Sequence, residues 1–507
     1  MSQRPSTGSS EPNTTNTPAR SIEKTQVGAG SAAEKDLESA NTEVVDWDGP
    51  DDPENPQNWP AIKKWLNIGS LAAITFFSPL ASSVFAPGVP RAQAEFEDYD
   101  ETKATFVVSV FLLGYVAGPL LLVPLADVFG RVNIYHAGNL FFIIFTIACA
   151  VSTNMNMLIG FRFLAGLVSS APMTVGGGTV VDILPPQKRG LGIMVWNLPL
   201  VAGPVVGPVA GGFLVQAAGW RWLFWLVAIS GGVTALIAAI FMRESNPSVL
   251  LKRKTKRLQK ETSNPNLRSK MDQGLTTSQL LVRAVVRPTK LLFLSPICGL
   301  FSLYNAFVYA IIYLFFTTFT FLFTEVYHFS EGMVGLSYIG SGIGMIAGMF
   351  FYGFTSDKLI QHLTKKNDLD RPKPEYRLPL TIFASPFIPA GLFLYGWTAQ
   401  YHVHWVVPLL GTLLVGFGFT IVLSSIANYM IDTFTIYAAS AMAAITISRS
   451  IFAATFPLFA LHMYDTLDWG WGNSLLGFIA IAGCAIPPLF WFHGEALRLD
   501  PRFQIKF

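Results

Sequence analysis

The sequence predicts an all-α polytopic membrane protein, with twelve transmembrane helices in two halves of six and a disordered tail before the first helix. Three observations support this prediction. Hydrophobic residues make up 51% of the 507 residues and charged residues only 13%, against about 25% charged residues in soluble globular domains. Apolar runs of about 20 residues, the length that crosses a ~30 Å hydrocarbon core, recur along the chain. A basic stretch at residues 243–290 divides them into two equal sets.

Each predicted span is an apolar run bounded by polar or charged residues. The first six spans cover about residues 65–88, 105–125, 134–152, 156–181, 191–217 and 222–242. The second six cover about residues 297–323, 333–355, 378–398, 405–430, 438–462 and 473–493. The predicted divisions are therefore a tail (1–60), an amino-terminal half (61–242), a basic linker (243–290), a carboxy-terminal half (291–495) and a short second tail (496–507). Residues 1–60 have little to bury, which predicts disorder.

Lysine and arginine collect in the loops on one side of the predicted spans. These loops contain Arg131, Lys188, Arg189, the linker, residues 358–377, Arg498 and Arg502. Acidic residues predominate in the loops on the other side, near residues 95–101, 325–331 and 465–468. Because short basic loops stay cytosolic, we expect both termini to face the cytosol.

Composition and motif spacing argue against several other classes of protein. The net charge is only +3 and the basic residues lie beside apolar segments, so nucleic acid is not an expected partner. Cys149, Cys298 and Cys484 are scattered through apolar runs, which predicts neither a disulfide framework nor a metal site. The glycine clusters at 176–178 and 340–344 lack the sequence context of a nucleotide-binding loop. We therefore expect no enzyme, no metal and no cofactor, with a gradient as the energy source.

The fifth predicted span contains glycines and prolines that a soluble helix would not tolerate. Interior proline costs ~3 kcal/mol and glycine about 1 kcal/mol in such a helix, whereas in a membrane neighbouring helices satisfy the freed backbone groups. Glycines four residues apart share one helix face and let a partner helix approach closely. The sequence therefore predicts a packing seam, and a pivot on which two halves rock, at Gly203, Pro204, Gly207, Pro208, Gly211 and Gly212.

Two arginines lie inside predicted spans, where an ionisable group is costly and is a functional candidate. Two interpretations of Arg162, in the fourth span, remain open. It is either a structural arginine that satisfies helix ends or a carboxylate, or a charge that biases a nearby proton site. Arg449, in the eleventh span, either meets an anionic or carbonyl-bearing substrate or steadies the helix bundle. No span has an obvious acidic residue at its midplane, so the sequence identifies no proton carrier.

Acidic residues lie near the predicted cytosolic ends of the second and fourth spans. Asp127 and Asp182 have two bases near them in sequence, Arg131 (next to Gly130) and Arg189. Partial exposure makes each such ion pair worth about 1 kcal/mol, which is enough to bias a near-balanced equilibrium. These residues predict a cytosolic latch that holds the chain open to the opposite side.

The seventh predicted span is rich in aromatic residues, and two interpretations of them remain open. They either face lipid or line a cavity for flat apolar solutes. Polar tips on this span favour the cavity, at Tyr304, Asn305, Tyr309 and Tyr313. Further candidates for the cavity are Trp196 and Asn197 in the fifth span, Asn428 in the tenth, and Arg449.

Several motifs in this order resemble those of the major facilitator superfamily, and specifically its fungal drug:proton antiporters with twelve spans. Leu125-Ala126-Asp127 with Gly130-Arg131 is similar to the loop signature after the second helix, although Pro124, Val128 and Val132 depart from it. The other matching segments are Arg162–Gly166, Gly176–Gly178 with Asp182, Gly203–Gly212, Gly219–Trp225, Pro457–Phe459 and Asn55–Pro60. The resemblance covers about residues 46–495.

The resemblance implies a secondary transporter that exports small amphipathic compounds, such as drugs, fungicides or fungal toxins, by proton antiport with alternating access. Its implied partners are a small-molecule substrate, protons and the lipid bilayer, and we expect a monomer. The implied location is the plasma membrane, with the vacuolar membrane as a second possibility. Two alternatives remain open, an importer or facilitator of a small nutrient or polyamine, and a non-transporting sensor.

Overall fold

The computed structural model describes residues 44–185, 188–272, 274, 276–368, 372–500 and 502. The helices of the amino-terminal half are α1 (Ala61–Ser83), α2 (Val89–Phe96), α3 (Glu101–Phe129), α4 (Arg131–Ala150), α5 (Met155–Ser169), α6 (Ala171–Ile183), α7 (Arg189–Ala218) and α8 (Arg221–Phe241). Helices α1 and α2 together form one candidate membrane span, and so do α5 and α6. This half therefore has six spans.

The linker contains two helices, α9 (Pro247–Thr262) and α10 (Thr277–Leu294). A segment of the tail packs on it, because β1 (Val44–Val45) pairs in parallel with β2 (Arg268–Ser269) of the linker. The prediction that disorder extends to residue 60 is therefore wrong for residues 44–60. The earlier part of the predicted tail, residues 1–43, lies outside the described residues.

A buried lysine explains why this segment of the tail is ordered. The Lys254 ammonium on α9 lies 3.0 Å from a carboxylate oxygen of Asp48 and 3.0 Å from one of Asp52. Asp52 also accepts the backbone N–H groups of Asp48 and Glu54, each at 2.8 Å. Burial alone raises the pKa of Asp52, but these amides and the ammonium outweigh it, so that the pKa lies below its ordinary value. The acidic segment and the basic linker thus neutralise each other.

The helices of the carboxy-terminal half are α11 (Pro296–Glu325), α12 (Glu331–Lys366), α13 (Leu378–Ala384), α14 (Phe387–Gln400), α15 (Val406–Phe434), α16 (Ala438–Thr455), α17 (Ala460–Gly483) and α18 (Ile486–Leu499). The described residues give eleven candidate spans, of which the last covers 62 residues, Ala438–Leu499. A straight helix of that length would measure roughly 90 Å, about three times the hydrocarbon core. Asp468 interrupts it with φ 56° and ψ 174°, so this segment holds two spans and the predicted total of twelve is confirmed.

The two halves meet along two pairs of long helices. Helix α7 of the first half packs against α12 of the second, and α3 packs against α16. Helix α11 is buried along nearly its whole length. Its aromatic residues therefore belong mainly to the core, which removes the lipid-facing interpretation for Tyr304 and Tyr313, each 3% exposed.

Candidate functional site

The glycine run on α7 forms a close contact with α1 of the same half. A Cβ atom at Gly203 would lie 3.0 Å from Leu80 N, and one at Gly207 would lie 2.9 Å from Leu80 O. At Gly211 the added atom would lie 2.5 Å from Val84 O. These three glycines therefore let two backbones touch inside the first half. They do not form the contact between the halves.

A neighbouring face of α7 contacts the second half. A Cβ atom at Gly212 would lie 2.4 Å from Glu331 O, and one at Gly335 would lie 2.5 Å from Pro208 O. The close contact between the halves thus involves Pro208 and Gly212 with Gly335 as their partner, beside the seam with α1, and the pivot stays a prediction. Gly335 on α12 was not anticipated from the sequence.

The prolines of α7 free backbone carbonyls that the neighbouring helix satisfies. Pro208 has no N–H to donate to the carbonyl four residues earlier, which belongs to Pro204. The Ser83 hydroxyl on α1 donates to that carbonyl instead, at 3.1 Å. The α1–α7 contact therefore combines close backbone packing with a hydrogen bond that the proline makes necessary.

Arg162 is 1% exposed and donates only to backbone carbonyls among the described residues. On α1 the acceptors are Ala81 O at 3.3 Å and Ser82 O at 2.9 Å. On α3 they are Val108 O at 3.2 Å, and Val107 O, which accepts from Nε. The carbonyls of Ala81 and Ser82 lie at the end of α1, where helix carbonyls lose their intrahelical partners. This geometry favours the structural interpretation of Arg162.

The four residues of the predicted latch divide into one ion pair and two separate residues. Arg131 Nε lies 3.0 Å from Asp182 Oδ2, with the N–H poorly aligned to that oxygen. Arg131 Nη1 donates to Val175 O at 3.0 Å. Arg189 instead donates to Leu184 O at 3.1 Å, and Asp127 forms no ion pair within the described part of the chain. Both members of the pair belong to the first half, and the role of these residues as a cytosolic latch stays a prediction.

Glu244, which sequence reasoning missed, holds the end of α8 to the start of α4. Its carboxylate accepts the N–H groups of Arg131 and Val132, each at 3.2 Å, and that of Asn246 at 2.8 Å. A Cβ atom at Gly130 would lie 2.3 Å from Glu244 Oε2, and Gly130 has φ 101°. Gly130 is therefore required for this contact. The only sequence signal was an acidic residue just before an Asn-Pro helix start.

An equivalent ion pair lies at the corresponding place in the second half. Arg377 Nε lies 2.9 Å from Asp432 Oδ2, and its Nη1 lies 3.6 Å from Asp357 Oδ1. Arg377 precedes α13 as Arg131 begins α4, and Asp432 ends α15 as Asp182 ends α6. The two halves thus repeat the same charge arrangement on the side of the molecule that carries the linker, called the linker side below.

Polar aromatic residues cluster where the two halves meet. The Tyr313 hydroxyl on α11 lies 3.1 Å from the Ser82 hydroxyl on α1, which joins the halves. The Tyr309 ring lies 5.3 Å from the Tyr313 ring, and the Arg449 guanidinium carbon lies 5.0 Å from the Tyr309 ring centre. In the first half, the Tyr115 hydroxyl on α3 lies 2.8 Å from the Ser78 hydroxyl on α1. This central cluster brings together Tyr309, Tyr313 and Arg449, and their role in lining a substrate cavity stays a prediction.

Asn305 completes the central cluster. Asn305, Tyr309 and Tyr313 recur every four residues and so share one face of α11. Asn305 is 1% exposed, yet among the described residues neither its amide nitrogen nor its amide oxygen has a hydrogen-bond partner. An unpaired buried amide costs about 1–3 kcal/mol for each group. A bound ligand with a donor and an acceptor would satisfy both atoms.

The remaining cavity candidates lie elsewhere and have other partners. The Tyr304 hydroxyl donates to Ser385 Oγ at 2.9 Å. The Trp196 indole donates to Pro172 O at 3.2 Å, in space that Gly176 leaves free. The Asn428 amide donates to Tyr352 at 2.9 Å. Asn197 is partly buried on α7. The first three therefore have structural roles outside the central cluster.

Comparison with known proteins gives concordant results. The sequence model of the Major Facilitator Superfamily matches residues 71–457. The efflux pump radE of Floropilus chiversii is 56% identical over 485 residues, which cover 96% of this chain and 90% of that protein. The MFS-type transporter penM of Penicillium rubens is 48% identical over 464 residues, covering 92% of this chain and 91% of that protein.

A solved structure shares the fold at low sequence identity. The xylose transporter XylE from E. coli, in a partially occluded inward-open conformation, superposes with a TM-score of 0.62 and 14% identity. The superposition covers 85% of this chain and 98% of XylE. This likeness supports the architecture of two halves around a central region.

Proposed function

Because this chain belongs to the major facilitator superfamily, we propose that it exports small amphipathic organic compounds, of the kind made in fungal secondary metabolism, in exchange for protons. The observation that most supports this proposal concerns Asn305, which lies on the helix face that carries Tyr309 and Tyr313. Among the described residues, neither of its two buried amide atoms has a hydrogen-bond partner. Family members with an internal two-fold repeat place the substrate at the midplane between the repeats. The Tyr313–Ser82 contact between the halves supports a substrate site at the central cluster.

The chemistry of the central cluster fits a flat, partly polar organic solute. Tyr309 and Tyr313 offer aromatic faces, which bury a large apolar area. Arg449 supplies fixed donors for a carbonyl or carboxylate group. Asn305 supplies one donor group and one acceptor group. The proposed direction of transport, export, is supported by the 56% identity of this chain to the efflux pump radE.

We propose alternating access, in which the two packed halves rock against each other and expose the central cluster to one side of the membrane at a time. Besides the central contact of Tyr313 with Ser82, the described residues include further polar contacts between the halves on the side opposite the linker. There Ser109 Oγ donates to Ala454 O at 2.9 Å, and Thr320 Oγ1 donates to Ala86 O at 3.2 Å. We infer that this conformation is closed on that side and opens toward the linker side, which we propose is cytosolic together with both termini. A proton gradient across the plasma membrane supplies the energy.

The test is the accumulation of a panel of fluorescent drugs and fungal polyketides in yeast that lacks its own exporters. Cells that express this chain should accumulate less of at least one compound, and Asn305→Ala should abolish the difference. Asn428→Ala is the matched control, because Asn428 is also a membrane asparagine but has partners of its own. Higher accumulation with the native chain would instead identify an importer. Equal effects of the two substitutions would remove Asn305 from the site.

A further inference from the structure

Helix α10 has an exposed apolar face. Val282, Val285, Val286 and Phe293 are 57%, 46%, 40% and 78% exposed. At 3.6 residues per turn these four positions fall within about 100° of the helix circumference. Thr289 lies in the same face, and its hydroxyl donates to Val285 O at 2.7 Å, so it offers no free donor. The face is therefore continuous and apolar.

Two bases border this face on one flank. Arg283 and Lys290 are seven residues apart, which places them one above the other on the helix. Both are exposed, and neither forms an ion pair among the described residues. The opposite side of α10, with Pro288 and Leu291 buried, packs against α3 of the first half and α16 of the second. The helix thus has one face on the protein, one apolar face outward, and a basic edge.

The position of α10 relative to the membrane follows from the helix that comes next. Only Ser295 separates Leu294 from α11, which is a candidate span. Phe293 must therefore lie near the level where α11 enters the hydrocarbon core. Helix α10 is not itself a candidate span, since it carries three bases in 18 residues. A helix about 27 Å long that is apolar on one side and ends at this level fits along the membrane surface.

We propose that α10 is an interfacial helix that inserts Val282, Val286 and Phe293 among the lipid chains of the linker-side leaflet and binds the phosphate groups of anionic phospholipids through Arg283 and Lys290. Helices with an apolar face and a basic edge lie in the headgroup region, and bases near an anionic leaflet are attracted to it. Charge complementarity therefore identifies the occupant as an anionic lipid.

Helix α9 provides the contrast within the same linker. Its exposed bases include Lys256 and Lys260, but it has no large exposed apolar residue, so nothing directs it into lipid. Removal of two charges from α9 changes the net charge as much as removal of two from α10. The two helices therefore form a matched pair for experiments.

The first experiment measures insertion. An environment-sensitive fluorophore is attached to Val282→Cys of the full chain in nanodiscs whose lipids carry a quencher on the upper acyl chain. Cys484, the native cysteine that is not fully buried, is replaced by alanine. We expect strong quenching at position 282 and little at the control label Lys256→Cys on α9. Equal quenching at the two positions would overturn the insertion.

The second experiment measures headgroup binding. Fluorescent phosphatidylserine is titrated into the purified chain, and phosphatidylcholine serves as the neutral comparison. Replacing Arg283 and Lys290 together by glutamine should weaken phosphatidylserine binding by roughly fivefold for each charge, with phosphatidylcholine binding unchanged. Replacing Lys256 and Lys260 by glutamine should leave both unchanged. Equal losses in the two double variants, or no loss in either, would contradict the assignment.

Discussion

Arg91 on α2 and Glu331 at the start of α12 form an ion pair across the two halves, with 2.5 Å between Nε and Oε1. It is the one ion pair that joins the halves within the described residues. Arg91 Nη1 also donates to Val215 O at 2.8 Å, so three helices meet there. The ion pairs of the linker side, Arg131 with Asp182 and Arg377 with Asp432, each stay within one half. This asymmetry supports the proposal that the side opposite the linker is the closed one.

Glu331→Gln should shift the conformational equilibrium toward opening on the side opposite the linker. Both side chains are partly exposed, 43% and 29%, so the pair is worth at most about 1 kcal/mol and the population ratio should change no more than about fivefold. Spin labels at Tyr99→Cys and Tyr401→Cys report the distance between the halves on that side. Glu101→Gln is the control, and an unchanged distance distribution in Glu331→Gln would refute the role of the pair.

Gly207→Leu should separate α7 from α1. A Cβ atom there already lies 2.9 Å from Leu80 O and 3.0 Å from Ser83 Oγ, and overpacking of this kind costs about 1–3 kcal/mol. We expect a lower melting temperature of the purified protein and loss of export. Gly160→Leu is the control, since nothing lies within 4 Å of that position. Equal melting temperatures for the two variants would show that the seam tolerates a side chain.

Replacing Arg162 should reduce folding, whereas replacing Arg449 should reduce export. Arg162→Ala removes the donor to the Ala81 and Ser82 carbonyls at the end of α1, at about 1–3 kcal/mol for each unsatisfied group, so the yield of folded protein should fall. Arg162→Lys should restore little, because lysine lacks the planar fork of donors. Arg449→Ala should keep the melting temperature and lose export. Normal folding of Arg162→Ala would contradict its structural role.

The contact between the tail and the linker should depend on pH. The folded-state pKa of Asp52 is lowered, since the amides of Asp48 and Glu54 and the Lys254 ammonium outweigh burial. Its stabilisation is therefore present above the unfolded pKa of about 3.9 and is lost as the pH falls through the folded value. Burial alone lowers the pKa of Lys254, but the Asp48 and Asp52 carboxylates raise it above its ordinary value, so its contribution is lost only at strongly alkaline pH. A lower hydrogen-exchange protection factor for residues 44–59 in acid, after division by the intrinsic exchange rate at each pH, is the expected result, and a protection factor that does not change with pH would contradict it.

Lys254→Met should open the same contact at neutral pH. Removing one partner of a buried pair costs about 3 kcal/mol, so hydrogen exchange in residues 44–59 should speed up by roughly a hundredfold. Arg257→Gln is the control, because its pair with Glu54 is 54% and 42% exposed and a solvent-exposed ion pair contributes little to stability. Similar exchange in the two variants would show that Lys254 does not hold the tail.

The spans could be predicted from sequence because bilayer thickness sets the length of each apolar run. The order of residues 44–60 could not, because it depends on Asp52 meeting Lys254, 202 residues away. Local composition describes each segment separately and does not reveal that an acidic one lies on a basic one. The break at Asp468 was likewise placed only approximately, between two apolar runs.

The candidate site was only partly predictable. Periodicity identifies the face of α11 that Tyr309 and Tyr313 share, whereas the contact of Arg449 on α16 with Tyr309 depends on how the two helices pack. Tyr304 and Asn428 do not join them, because the rotation of each helix against its neighbours is fixed by tertiary packing. The choice between two roles for Arg162 also needed the structure, since its acceptors are backbone carbonyls that carry no sequence signal.

The most direct test of proton-driven export is to add a protonophore halfway through the yeast accumulation experiment. With the native chain, accumulation of the exported compound should start below that of control cells and rise to the control level once the proton gradient collapses. Asn305→Ala cells should accumulate the compound at the control level throughout. Low accumulation that persists after the gradient has collapsed would contradict proton-driven export, and accumulation above the control level would contradict export itself.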